Sequence, residues 1–201
     1  MGRNNEYNGG LTREQFLFYE IRVVAKLVSD GEERDTIIHK LKDENLFQFP
    51  TERMITSIAT TCFKRIDALE SESLVRELAE GSVDVAKQIN LYAMMRYNRI
   101  VWDFMVTVIG EKFRTQDFEF GKADMNLFFL RLQEQDDLVN TWSEGTINKI
   151  KQVLRKSLVE CDFIDTVKSE KLNQVFPYDD LIEGIKSNGD YDALAAFNYF
   201  E

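Results

Sequence analysis

Residues 83–113, VDVAKQINLYAMMRYNRIVWDFMVTVIGEKF, constrain the fold of this chain more than any other stretch. They hold no proline and read as one long helical segment opened by Ser82. Around Val101 to Ile109 the apolar residues occupy more than one face, and a helix of that kind is stable only when other helices surround it. The segment is therefore expected to be the central helix of a bundle, with Asn98 as the point where it breaks.

The remaining sequence supplies the surrounding helices. With 201 residues and 44% hydrophobic content the chain can bury a sizeable core, and only two prolines and ten glycines interrupt it. The expected class is all-α: one compact unit, with 1–81 and 82–201 as candidate lobes and short helices at the C-terminal end. Thr12 and Gln15 in LTREQF have the spacing of a capping box, and Leu11 and Phe16 that of a hydrophobic staple, so the first helix is expected to start there and run to Gly31. A second helix is expected over Glu33 to Glu44. Thr51 should cap a third, whose inward stripe is Met54, Ile55, Ile58, Cys62, Ile66 and Leu69. SESLVRELAEG gives a fourth. Beyond the central segment, helices are expected over Lys122 to Gln135 and Ser143 to Asp162. A small hairpin near Lys168 to Val175 and two brief helices around Asp180 to Lys186 and Tyr191 to Tyr199 complete the tail.

Several chemistries lack their residues. No apolar run approaches the ~18 residues of a membrane span, and MGRNNEYNGG has no signal-peptide core, so a cytoplasmic protein is expected. Cys62 and Cys161 are isolated and read as small core residues, and the single histidine, His39, reads as a helix surface residue. Neither phosphate-binding glycine loops nor HExxH occurs, and no cofactor or metal is expected. The acid pairs Asp136-Asp137 and Asp179-Asp180 read as helix-start and loop acids, since neighbours on a helix do not face each other.

Charge is distributed unevenly. The net charge is -10, yet residues 142–156, WSEGTINKIKQVLRK, carry four bases against one acid, whereas residues 157–201 carry ten acids and three bases. At ~100° per residue, Ile147, Ile150, Val153, Leu154, Leu158 and Cys161 form one seam, and Lys149, Lys151, Arg155 and Lys156 fall opposite it. Such a face suits phosphate contact, or else it is a solvated face paired with the acidic tail. Tyr92, Arg96 and Arg99, at i, i+4 and i+7 of the long helix, form a second candidate surface, and Lys64 with Arg65 a weaker third.

The stretches YNGGLTREQFLFYEIRVVAKLVSDG, AKQINLYAMMRYNRIVWDFM and ADMNLFFLRLQEQDDLVNTWSEGTINKIKQVLRKSLVE resemble the BrxA family of the BREX phage-defence systems. The resemblance implies a small all-helical protein with a NusB-like fold, able to bind nucleic acid and encoded beside other BREX components that include a methyltransferase and an ATPase. It further implies a place in a system that marks host DNA by methylation and blocks replication of unmarked phage DNA. It carries no catalytic signature onto these residues. The expectation is therefore a non-enzymatic accessory protein with double-stranded DNA and other BREX components as partners. The competing reading is a protein adaptor that docks other defence subunits through its acidic C-terminal segment.

Overall fold

The computed structural model describes residues 6–200, so Met1–Asn5 and Glu201 of the candidate lobes lie outside the described residues. The chain does not enter its first helix at Thr12. Gly9–Thr12 forms a single 3-10 turn, capped by Asn8, whose Oδ1 accepts from the Gly10 N–H at 3.0 Å. Residues 14–17 are not helical, and α1 (Phe18–Ser29) begins only after Leu17, which sits in the left-handed region at φ 52°. The reason lies far away in sequence. Arg65 is buried at 1% exposure and donates to the carbonyls of Glu14 (2.9 Å), Gln15 (2.7 Å) and Phe16 (3.0 Å), and the Asn90 amide donates to Phe16 as well (2.7 Å). Carbonyls that a helix would use internally are held open by these two side chains. The capping box of Thr12 and Gln15 is accordingly not formed.

The next helices start where local chemistry says they should. They are α2 (Arg34–Asp43), α3 (Glu52–Leu69), α4 (Glu72–Glu80) and α5 (Val83–Tyr97). The hydroxyls of Thr51, Ser71 and Ser82 accept from the N–H groups of Met54, Leu74 and Val85, at 3.3, 3.3 and 3.4 Å. Helices α1, α3, α4 and α5 pack on one another, with α2 against α3. Met54 leaves the expected inward stripe and is exposed, because the inward side of α3 is taken by Ile55, Ala59, Cys62, Ile66 and Leu69.

Asn98 does break the central segment. Its backbone is extended (φ -128°, ψ 115°), and its Oδ1 accepts from the Ile100 N–H at 3.0 Å, so one residue ends α5 and caps α6 (Arg99–Phe104). A π-helical stretch, Met105–Gly110, follows, and then α7 (Glu111–Arg114). Gly110 meets the short α12 (Asp192–Ala196): a Cβ there would lie 3.1 Å from the Ala196 nitrogen. Between them run α8 (Lys122–Gln135), the single turn α9 (Asp137–Asn140), α10 (Glu144–Glu160) and α11 (Asp179–Ser187).

The expected hairpin within Lys168 to Val175 is absent. That segment pairs with residues 118–120 instead, through Phe120 N–H to Glu170 O (2.9 Å) and Leu172 N–H to Phe118 O (2.8 Å), around one antiparallel bridge, Glu119 to Lys171. Among the described residues there is no β-strand, and the fold is all-α. The buried apolar residues form one cluster from Tyr7 to Phe197, into which the phenylalanines of FEF and NLFFL are drawn: Phe104 meets Phe128 at 5.5 Å and Phe120 at 6.1 Å. No helix of the described residues is long and apolar enough to cross a membrane.

Both thiols belong to this core, and burial pushes that of Cys62 up to about 12 from 9.0. A thiol raised in the folded state binds its proton more tightly there than in the unfolded chain. Its contribution is complete below about 9, then falls by ~1.4 kcal/mol per pH unit as pH rises towards 12. Urea midpoints are therefore expected to drop between pH 8 and 10.5, and Cys62→Ala should flatten that drop. An unchanged slope in the variant would contradict the assignment.

Candidate nucleic-acid interface

Helix α10 starts at Ser143, whose Oγ accepts from the Thr146 N–H at 3.1 Å. Its apolar seam is buried as spacing requires: Ile147, Ile150, Val153, Leu154 and Leu158 face inward. Cys161 ends the seam, its Sγ 3.4 Å from the Lys87 carbonyl.

The four bases do not share one face. At ~100° per residue Lys151 and Arg155 lie ~40° apart, Lys149 and Lys156 ~20° apart, and the two pairs are separated by ~100° or more. Lys149 and Lys156 are exposed, whereas Lys151 and Arg155 are half-buried. Lys151 donates to Asn126 Oδ1 at 2.7 Å and lies 5.4 Å from the Phe129 ring centre. Arg155 is anchored more firmly. Its Nε donates to Val167 O at 2.8 Å, one terminal nitrogen donates to Ser169 O, and the guanidinium lies 4.9 Å from the Phe120 ring centre. It thereby clasps the 167–169 loop next to the Glu119 to Lys171 bridge, and desolvation lowers its pKa, as it does that of Lys151.

None of these four bases has a carboxylate partner among the described residues. Several cations elsewhere are paired: Lys26 with Asp30 and Glu80, Lys40 with Glu32, Arg34 with Asp67, Lys112 with Asp117 and Asp124. In an acidic protein, α10 thus gathers four bases without an ion pair, with Glu170 and Asp124 acting on Arg155 only through space. Lys156 also lines a groove of about 600 Å³, together with the exposed Arg13 and the carboxylates Glu20 and Glu160. Arg13 is a lone base beside the expected cap Thr12, and no sequence spacing groups it with the bases of α10.

The second candidate surface is overturned. Tyr92 is fully buried and Arg96 is 3% exposed. Arg96 donates to Asp190 Oδ2 (2.7 Å), Glu70 Oε2 (2.5 Å) and the Tyr92 hydroxyl (3.2 Å), while Tyr92 donates to Asp190 Oδ2 at 2.7 Å. The i, i+4, i+7 spacing also presumes a continuous helix, and the break at Asn98 carries Arg99 out of register. Arg99 instead pairs with Asp103 at 3.4 Å and lies 4.1 Å from the Tyr7 ring centre. Of the third pair, Lys64 is exposed and Arg65 is buried.

Other residues read from the sequence lie where expected. His39 is exposed. Asp136 caps α9, its Oδ1 accepting from Leu138 and Val139 at 3.0 Å each, and Asp179 and Asp180 fill the first turn of α11. No group of three His, Cys, Asp or Glu residues among the described ones is arranged to hold a metal ion. A second groove, of about 540 Å³, lies between α6–α7 and α8, and in its lining Arg99 is paired with Asp103 and Lys112 with Asp117 and Asp124.

Fold and surface together define a compact all-helical protein with a cluster of four bases on one amphipathic helix. The chain belongs to the BrxA family, whose profile matches residues 5–189. It is 30% identical over 191 residues to "BREX protein BrxA" of Bacillus cereus (strain H3081.97), covering 94% of this chain and 95% of that one. It is 23% identical to the protein of the same name from Escherichia coli O9:H4 (strain HS), over 84% of this chain and 78% of that one. In structure it is similar to an uncharacterized protein from Magnetospirillum magneticum, with a TM-score of 0.81 at 20% identity, covering 95% of this chain and 97% of that one.

Proposed function

We propose that this BrxA-family protein of BREX phage defence is a non-enzymatic accessory that contacts the backbone of double-stranded DNA through the outer side of α10. The observation that carries the reading is the gathering of four bases, Lys149, Lys151, Arg155 and Lys156, on one helix, none with a carboxylate within ion-pair distance among the described residues, in a chain of net charge -10. Unpaired bases attract phosphates and release condensed counterions, whereas paired ones first have to lose a partner. Lys149 and Lys156, with Arg13 beside the groove, supply the contacts; Arg155 positions the adjoining loop. The same proposal carries the NusB-like arrangement and the cytoplasmic setting.

Fluorescence anisotropy of a labelled duplex at several salt concentrations tests this. Affinity should fall steeply with salt. Lys149→Glu with Lys156→Glu should weaken binding at least ~10-fold and reduce the log–log salt slope by about 2, near one unit for each phosphate that is no longer neutralised. Salt-independent binding, or binding indifferent to the double variant, would sink the reading.

The adaptor reading has its own observation. Phe176, Tyr178, Tyr191 and Phe200 are exposed along the acidic C-terminal segment, at 66%, 41%, 58% and 46%. Absence of duplex binding at low salt, with capture of another BREX component that is lost on Phe176→Asp, would favour it.

A further inference from the structure

Arg155 directs its donors inward. Its Nε donates to Val167 O at 2.8 Å, one terminal nitrogen donates to Ser169 O, and the other terminal nitrogen is enclosed by protein. A guanidinium whose planar fork is taken up by main-chain carbonyls keeps little for a phosphate. The two carbonyls it holds flank a single residue, Lys168.

The segment is also tied to itself. Ser169 N–H donates to Thr166 O at 3.0 Å, Thr166 N–H to Ser169 Oγ at 2.9 Å, and Lys168 N–H to Thr166 Oγ1 at 3.3 Å. Residues 166–169 therefore form a turn whose main chain is set by its own hydroxyls and by Arg155. Val167 and Lys168 are exposed at its tip.

The position of the turn follows from the neighbours of Val167. Its carbonyl is held by Arg155, and the residue lines the groove of about 600 Å³ together with Lys156, Val153 and Val159. At ~100° per residue Val159 lies between Arg155 and Lys156, ~40° from the first and ~60° from the second. The turn thus sits over the outer side of α10 near its C-terminal end, and Lys168 continues the row begun by Lys149 and Lys156.

Lys168 has no ion pair among the described residues. Of the carboxylates nearest in sequence, Asp165 Oδ1 accepts from the Asn173 amide at 2.9 Å, and Glu160 lies 3.9 Å from Lys87. Glu170 acts on Arg155 through space.

We propose that the 166–169 turn is a second contact element of the duplex site, with Lys168 taking a backbone phosphate beside those taken by Lys149 and Lys156, and Arg155 as the positioning residue that holds it there. The proposal rests on the α10 reading. A lysine on a main chain that is already fixed binds without the cost of ordering a loop, so the clasp raises affinity although Arg155 touches no phosphate.

Fluorescence anisotropy of a labelled duplex across a salt series, with the full chain, tests it. Lys168→Ala should weaken binding about 3- to 5-fold and reduce the log–log salt slope by about 1. The residue is exposed, so the fold should be unchanged. Arg155→Met keeps apolar contact with Phe120 but takes the donors from Val167 O and Ser169 O, and it should weaken binding by a similar factor. In the double variant the loss should stay close to that of either single one, because both act on one contact. Without DNA, amide exchange across residues 166–169 should quicken in Arg155→Met. Binding by the natural chain that is indifferent to Lys168→Ala overturns this proposal and leaves the α10 reading standing. Losses that multiply in the double variant, or unchanged exchange in Arg155→Met, remove the positioning role of Arg155. A natural chain that binds no duplex overturns both readings.

Discussion

Arg65→Ala is expected to lower the free energy of unfolding by about 3–5 kcal/mol, the largest effect of any single substitution outside the apolar core. Three main-chain carbonyls, those of Glu14, Gln15 and Phe16, take hydrogen bonds from one guanidinium that is itself out of contact with water. Burial lowers the pKa of Arg65, showing that desolvation opposes the charge, so these bonds have to offset that cost. Alanine would take the guanidinium donor from the Glu14 and Gln15 carbonyls, leave Phe16 O with Asn90 as its side-chain donor, and open a cavity beside them. Arg65→Lys should recover only part of the loss, because an ammonium cannot reproduce the planar fork that reaches three oxygens. Urea denaturation followed by circular dichroism measures the loss, and amide exchange should quicken first in the opening turns of α1. A variant as stable as the natural chain would show that the 14–17 segment holds its course without Arg65.

Arg96→Met is the second large effect, about 3 kcal/mol or more, since it removes the cation and leaves a carboxylate 13% exposed, Asp190, facing a hydroxyl. Arg96 joins three distant parts of the chain: its own helix α5, Glu70 at the turn after α3, and Asp190 in the turn before α12. Asn188 strengthens the junction, donating to Leu69 O at 2.8 Å and to the Tyr92 hydroxyl at 3.1 Å. The loss should therefore be local before it is global. Hydrogen exchange should rise across Asp179–Ser187 and Asp192–Ala196 while α1 to α3 stay protected. Glu70, about a third exposed, contributes less, and Glu70→Gln should cost less than Arg96→Met. Equal protection of the C-terminal helices in Arg96→Met would remove the junction from the account of stability.

These two arginines also mark where sequence reading and structure part. Both stand in segments whose helical character is plain from the sequence, and both read as basic surface groups there. In the molecule, Arg65 organises a loop about fifty residues earlier and Arg96 closes the C-terminal end onto the bundle. Helical spacing says which residues share a side of a helix. It says nothing about whether that side meets water or another helix. The α10 bases illustrate the same limit from the other direction: spacing puts them opposite the apolar seam, but only packing sends Arg155 to Val167 O and Lys151 to Asn126 while leaving Lys149 and Lys156 outside.

By itself the sequence determined what local chemistry controls. It set the all-α class, the break at Asn98, the caps at Thr51 and Ser82, the buried seam of α10 and the core placement of Cys62 and Cys161, because hydroxyl and amide caps, apolar period and the scarcity of proline and glycine act within a few residues. Tertiary structure decided whatever depended on a partner far along the chain. Thr12 lost its cap because the carbonyls around Gln15 found Arg65, the segment near Lys168 paired with Phe118–Phe120 instead of with itself, and the positive charges were sorted into those with carboxylates and those without. A buried carbonyl or charge takes the strongest partner that packing brings within reach, and which partner that is depends on the whole fold.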